Sequence, residues 1–259
     1  MATSDGQPDP GRGIFETLLV VAGEPVELEA HLARLGRSLL DVYGVELPAQ
    51  AREQVGAVAA AFELGRLRLT AVPSRGGLDI EIEARPLDRA VMFPAAGAAL
   101  RRVQRRGGHG PCKWVDRVGM DHPDAGAGQL ICDGEELLEA GWANLFAVRE
   151  GTLWTPPADG RILAGMARGA LLEIAAEEGV EARERAISAT DLLAAEETFL
   201  TNSVRGIEPA AALDEEPLPG CGPISRRLAA ALRRRWGLAG AADDPPAPAA
   251  EPKLGQPSR

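Results

Sequence analysis

The chain has 259 residues, 45% of them hydrophobic and 25% charged, enough for one large globular unit or two small ones. A formal net charge of −10 and a pI near 5.0 argue against nucleic acid or an anionic membrane as partner. Cys112, Cys132 and Cys221 form no close pair, and His31, His109 and His122 lack metal-ligand spacing, so neither a disulfide framework nor a metal site is expected.

Residues 1–12 are polar and read as a flexible leader. No apolar run reaches the ~18 residues of a membrane span, so a soluble, cytoplasmic protein is expected. "IFETLLVV" (14–21) is apolar and β-branched, which predicts a strand, and "AGEP" then turns the chain. "LEAHLARLGRSLLDVYG" (28–44) places Leu28, Leu32, Leu35 and Leu39 on one helix face, and Gly44 follows as a stop. A second helix is predicted over 48–64. "RLRLTAVP" and "LDIEIEARP" alternate polar and apolar residues about "SRGG" and predict a β-hairpin. These elements make a first α/β unit over 13–95.

A second unit is expected over 96–237. It opens with "AALRRVQ" and the Gly-rich "RRGGHGPCK", after which 128–157 reads as several strands with turns at "DG" and "EG". Helices are predicted over 165–180 and 223–237, and strands over 181–187 and 197–203. A short helix over 188–195 has Ser188 and Asp191 spaced as a capping box. The Pro/Ala-rich 238–259 reads as a disordered tail.

Lysine usage singles out one position. Of 28 basic residues only Lys113 and Lys253 are lysines, and Lys253 lies in the tail. A guanidinium keeps its proton, whereas a partly buried ammonium gives it up and attacks carbonyl carbons. Lys113, in "GPCKWVDR" (110–117), is therefore a Schiff-base candidate; the alternative is a surface lysine that drifted into an arginine-rich chain. A cofactor aldehyde such as pyridoxal phosphate also needs an anion site and a partner for its ring nitrogen. Gly165 starts a strong helix in "ILAGMAR", whose free N–H groups suit a phosphate. Ser203 in "LTNSVRG" and Arg34 in "HLARL" are further anion candidates, and Glu139 in "LLEAGWANLF" is the carboxylate candidate. Singly, each has an ordinary structural explanation.

Taken in order, "FETL", "HLARL", Lys113, "EAGWANLF", "TPP", "ILAGMAR", "DL" and "AEETFLTNSVRGIEP" resemble the fold-type IV pyridoxal-phosphate enzymes, from about Gly13 to Trp236. That family contains branched-chain and D-amino-acid aminotransferases and 4-amino-4-deoxychorismate lyase. The resemblance implies an α/β (α+β) fold of two domains, the N-terminal one smaller. It also implies pyridoxal 5′-phosphate as cofactor, a small-molecule substrate and a homodimer. On it, Lys113 matches the lysine that carries the cofactor, Arg34 grips the phosphate, and Glu139 meets the pyridine nitrogen. Gly165, Met166 and Ala167 fall on the phosphate-binding helix terminus, and Ser203 on a phosphate hydroxyl with Asn202 beside it. Many members have threonine where Ala167 stands, so one side-chain contact is expected to be missing.

The same resemblance leans towards a lyase. Branched-chain aminotransferases tend to place a tyrosine five residues after the lysine, where this chain has Val118, and "KWVDR" is closer to the lyase pattern. Thr17 then matches a position able to hydrogen-bond substrate, and Arg117 and Arg205 are candidates for its carboxylates. The implied reaction releases pyruvate and p-aminobenzoate. A transaminase of branched-chain or D-amino-acid type is the alternative, and a non-catalytic dimeric binding protein is a third possibility.

Overall fold

In the computed structural model, β1 (Ile14–Val21) turns at Gly23 into the two-residue β2 (Glu24–Pro25), and the chain continues through α1 (Leu28–Tyr43) and α2 (Ala51–Ala59). A hairpin of β3 (Leu64–Ser74) and β4 (Gly77–Pro86) completes an antiparallel sheet in the order β2-β1-β3-β4. The structure describes residues 8–117, 120 and 126–238; residues 1–7, Val118, His122 and the tail beyond Leu238 lie outside the described residues. Strand alternation sorts β1 by face. Leu18 and Val20 join Leu35 and Leu39 of α1, Val55 of α2 and Leu67 and Leu69 of β3 in one apolar core, which leaves Phe15 and Thr17 on the other face.

Two boundaries in this unit differ from expectation. α2 stops at Ala59 because Leu64 and Gly65 are drawn into pairing with Val21 and Val20, and sheet pairing overrides a helical composition. "AGEP" holds the short β2 as well as the turn. Of the residues read as a leader, Pro10–Arg12 form a 3-10 turn capped by Asp9, and the Tyr43 hydroxyl donates to the Pro10 carbonyl.

The second unit contains β5 (Ala98–Gln104), β6 (Gly128–Asp133), β7 (Glu136–Ala140), β8 (Ala143–Arg149) and β9 (Thr152–Thr155), followed by α3 (Met166–Glu177). After them come β10 (Ala182–Glu184), β11 (Ile187–Ser188), α4 (Ala189–Leu193), β12 (Glu197–Asn202), β13 (Gly206–Leu213), β14 (Glu216–Pro217) and α5 (Pro223–Arg235). The strand order is β10-β9-β8-β12-β13-β5-β6-β7-β11, and β7 also pairs with β8. That pairing closes β8, β12, β13, β5, β6 and β7 into a ring and removes their free edges. Leu100, Leu130, Leu145 and Leu200 pack on one side of these strands. Phe146 and Phe199 lie on the other, stacked with ring centroids 5.3 Å apart, where α3 and α5 cover them.

The single strand expected over 181–187 is two strands at opposite ends of the sheet order, β10 parallel to β9 and β11 antiparallel to β7. β13 escaped the pattern because Pro209 stands inside it, and an interior proline argues against a strand. The capping box at Ser188 and Asp191 is formed.

One buried acid anchors the last helix. The Glu197 carboxylate accepts the N–H groups of Gly222, Ile224 and Ser225 at 3.0, 2.8 and 2.7 Å. Removing it leaves those donors unmet, at about 1–3 kcal/mol each. Glu197→Ala should therefore lower the melting temperature by roughly 4 °C or more in calorimetry; an unchanged melt would contradict this anchoring.

Candidate active site

Lys113 lies in the connection between β5 and β6, and backbone pairing fixes it. The Phe15 N–H donates to the Lys113 carbonyl at 2.9 Å, Val115 N–H donates to Gly13, and Trp114 bridges Ile14 antiparallel. A segment of the second unit is thus stitched to the start of β1. The residue is half-buried as a whole, but its ammonium is enclosed and stands 5.0 Å from the Phe15 ring centre. Burial pushes its pKa down to about 7, helped by Arg34, Arg117 and Arg66 and opposed by Glu16.

Glu16 lies on the α1 side of β1, and its carboxylate receives Arg34 Nε at 2.7 Å, Arg34 Nη2 at 2.6 Å and His31 Nδ1 at 2.8 Å. Burial alone would raise this carboxyl, but Arg34 and His31 outweigh it and hold it far below the usual carboxylate range. Arg34 Nη1 also donates to the Ala164 carbonyl at 2.7 Å, one residue before the N-cap of α3. Arg34 therefore ties the two units together and borders the site.

Glu139 is the last residue but one of β7, beside a tight hairpin and directly opposite Asn144 on β8. Its two oxygens accept the Leu163 N–H at 3.3 and 3.2 Å, and Asn144 Nδ2 donates to one of them at 3.4 Å. Burial raises the Glu139 carboxyl to about 8, against Leu163 and three nearby cations. Asn144 also closes on Gly165, the N-cap of α3, where a Cβ would lie 2.1 Å from Asn144 Oδ1. Only glycine fits, and α3 begins with no side-chain cap.

These groups converge. Arg34, Lys113, Glu139, Gly165, Met166, Ala167, Asn202 and Ser203 line one inner cavity, with Thr201 and His109 beside them. The inner cavity adjoins an outer one of about 600 Å³, and Lys113, Arg117, Trp142, Asn202 and Ser203 border both. Thr17 and Arg205 line the outer cavity. The Thr17 and Thr201 hydroxyls are buried and find no partner among the described residues. Asn202 spends its oxygen on the Val204 and Arg205 N–H groups, shaping the turn after β12. Arg205 forks onto the buried Glu208, and Arg117 donates to the Met120 and Gly141 carbonyls.

A family model described as Amino-transferase class IV matches residues 13–106 and 123–213. The chain belongs to the class IV aminotransferase family. The match leaves out residues 107–122, and Lys113 with them. A 4-amino-4-deoxychorismate lyase from Pseudomonas aeruginosa superimposes with a TM-score of 0.72 and 30% identity, covering 90% of this chain and 96% of that one. A hypothetical aminotransferase from Mycobacterium tuberculosis, solved with α-ketoglutarate and PMP, shares the fold at TM-score 0.76 and 24% identity, covering 91% and 93% of the two chains. A putative branched-chain-amino-acid aminotransferase of Methanocaldococcus jannaschii is 24% identical over 88% of this chain and 89% of its own.

This class IV enzyme is pyridoxal-phosphate dependent. The residues present fit the cofactor. An uncapped helix terminus, an orphaned hydroxyl and Arg34 offer donors for a phosphate, a desolvated carboxyl suits a pyridine N–H, and a buried amine suits an aldehyde. Sequence reasoning missed Glu16, Thr201 and His109. Only Glu16 left a trace, as a lone acid in an apolar strand. His109 is a cavity-wall residue whose pKa burial, with Arg105 and Arg117, pushes down to about 4.

The Glu139 shift carries a sign. Its folded pKa, about 8, lies above the ordinary carboxyl value of 4.5, so the unfolded chain releases this proton first as pH rises. Stability is then lost between about pH 5 and 8 and is level above. Cofactor-free Glu139→Gln should gain melting temperature over the cofactor-free parent across that interval, by ~2 °C or more at pH 8, and show little difference at pH 5. A pH-independent difference in melting curves would refute the buried, proton-holding carboxyl.

Proposed function

We propose that this enzyme is a 4-amino-4-deoxychorismate lyase, releasing pyruvate and p-aminobenzoate for folate synthesis as a cytoplasmic homodimer. The observation that carries the reading is the enclosed Lys113 amine, set between an anion-accepting inner cavity and a cationic outer one. The 30% identity to the Pseudomonas lyase over most of both chains and the "KWVDR" pattern favour the lyase. Among the described residues no helix is long and apolar enough to cross a membrane.

Bound through Lys113, pyridoxal phosphate would supply a sink for the electron pair left when the substrate loses a proton. Arg34, the N–H groups of Met166 and Ala167, Ser203 and Thr201 would hold the phosphate, with Asn202 shaping the loop beside it. Ala167 brings a backbone N–H but no hydroxyl. Glu139 would keep a proton at the pyridine nitrogen. Lys113 Nζ, whose pKa burial brings down to about 7, would act as the base that takes the C4 proton of the substrate. Departure of the three-carbon unit as the enol of pyruvate leaves the ring aromatic. Thr17, which lines the outer cavity and whose hydroxyl has no partner among the described residues, would donate to the substrate. Arg117 and Arg205 border the space that the carboxylates would occupy.

A transaminase is the second reading, supported by the Methanocaldococcus relative. It needs the same proton transfer by Lys113 but returns the proton instead of expelling a fragment. Holoenzyme supplied with aminodeoxychorismate should release pyruvate and p-aminobenzoate in equal amounts, with activity reduced at least ~10³-fold in Lys113→Ala. Conversion of the cofactor to its pyridoxamine form by an amino acid, without p-aminobenzoate, would replace the lyase with the transaminase.

A further inference from the structure

One enclosed polar group on the inner cavity stands idle. His109 Nε2 is buried and finds no partner among the described residues, although the side chain lines the cavity together with Lys113 and Glu139. A buried polar atom left unpaired is an exception that asks for a ligand or a structural cause. The loop that carries it is held firmly. Gly108 N–H donates to the Arg105 carbonyl at 3.0 Å, Arg105 Nε returns to the Gly108 carbonyl at 3.0 Å, and Gly107 N–H donates to Asp133 Oδ2 at 3.0 Å. After His109, the Gly110 N–H donates to the Arg161 carbonyl at 3.2 Å. Before it, Gly108 has a φ of +67° and packs so closely that a Cβ would lie 2.0 Å from that same carbonyl oxygen. His109 is thus clamped to Arg161 on both sides, and Arg161 is itself tied to Glu136 and Asp159 at 2.7 and 2.8 Å.

The clamp also fixes where His109 stands along the cavity. The segment 161–165 makes its contacts in order: Arg161 holds the His109 loop, Leu163 N–H meets Glu139, the Ala164 carbonyl takes Arg34, and Gly165 opens α3. His109 is therefore joined to the Glu139 end of this segment, away from the helix terminus, and it precedes Lys113 in the same loop. The polar groups of pyridoxal phosphate are its phosphate, ring nitrogen, aldehyde and 3-hydroxyl. Arg34 and the α3 terminus suit the first, Glu139 the second and Lys113 the third, which leaves the hydroxyl. That hydroxyl lies on the ring edge between the nitrogen and the carbon bearing the aldehyde, opposite the edge that carries the phosphate arm. Burial, with Arg105 and Arg117 nearby, keeps His109 neutral at neutral pH, so Nε2 can carry a hydrogen without adding another buried cation.

We propose that His109 is a cofactor-binding residue whose Nε2–H donates to the 3-hydroxyl oxygen of pyridoxal phosphate, along the ring edge between Lys113 and Glu139. The proposal rests on the reading that the cofactor lies with its aldehyde at Lys113 and its nitrogen at Glu139. A donor there stabilises negative charge on the ring oxygen, and a hydrogen bond to a charged group is worth roughly tenfold or more in affinity. Equilibrium titration of the cofactor-free protein with pyridoxal phosphate and with its 3-deoxy analogue tests this without turnover. His109→Ala and His109→Leu should each weaken pyridoxal phosphate about tenfold and leave the 3-deoxy analogue within about twofold, which also shows that the variants are folded. Equal loss of both probes makes His109 a wall residue only, and no loss of either leaves Nε2 without a ligand; each overturns the proposal. Failure of the cofactor reading looks different. Lys113→Ala would then bind pyridoxal phosphate as tightly as the parent, and this proposal falls with it. A tenfold loss in Lys113→Ala beside equal loss of both probes in the His109 variants keeps the cofactor at Lys113 and removes only the contact from His109.

Discussion

The short antiparallel bridge between Trp114 and Ile14, with the Phe15 N–H on the Lys113 carbonyl, is the constraint on which the site depends. It draws a loop of the C-terminal unit against the first strand of the N-terminal unit and encloses the only lysine among the described residues. Enclosure has consequences for every charge nearby. A buried ion without a partner costs several kcal/mol, so the groups must pair or neutralise. Glu16 pairs, taking Arg34 and His31; Lys113 and Glu139 shift towards their neutral forms. The same seam that lowers one pKa raises the other, and both shifts suit proton traffic near neutrality.

How much of this was legible in the sequence depended on whether a residue's signal is local. α1, the β3–β4 hairpin, α3 and α5 showed themselves through periodicity, because each buries one face, and β1 through a continuous apolar run buried on both faces. The ring of strands did not, since the β7–β8 pairing that closes it joins strands already adjacent in sequence and leaves no pattern of its own. Pro209 disguised β13, and the split of 181–187 is set by two distant partners. In the site, Lys113 stood out by composition, but Arg34 and Glu139 needed the ordered set of motifs around them. Thr201 was passed over for its neighbours because a hydroxyl becomes informative only once burial strips its partners. Arg66 and Arg68 looked like the solvent face of a hairpin, and only the second unit packed against them shows otherwise.

The bias towards arginine has a physical reading in this setting. Surrounding a reactive amine with positive charge lowers its pKa, but lysines placed for that purpose would themselves lose protons and compete as nucleophiles. Arginines supply the field without the reactivity. Arg34, Arg66 and Arg117 all act on Lys113 in this way, and none can replace it. The arrangement leaves a single amine able to react with an aldehyde in a cavity crowded with cations.

The lyase and the transaminase share everything so far described on the inner side of Lys113. Phosphate donors, a proton-holding Glu139 and a neutral amine serve either reaction, which is why fold and inner cavity cannot decide between them. The difference must be made on the outer side, by what the substrate carries and how it is held while the proton moves. The outer wall sets Arg66, Arg68, Arg85, Arg117 and Arg205 among apolar side chains such as Leu87, Val91, Met120 and Val204. On the proposed reading, the inner cavity serves either reaction, and the outer cavity has to distinguish them.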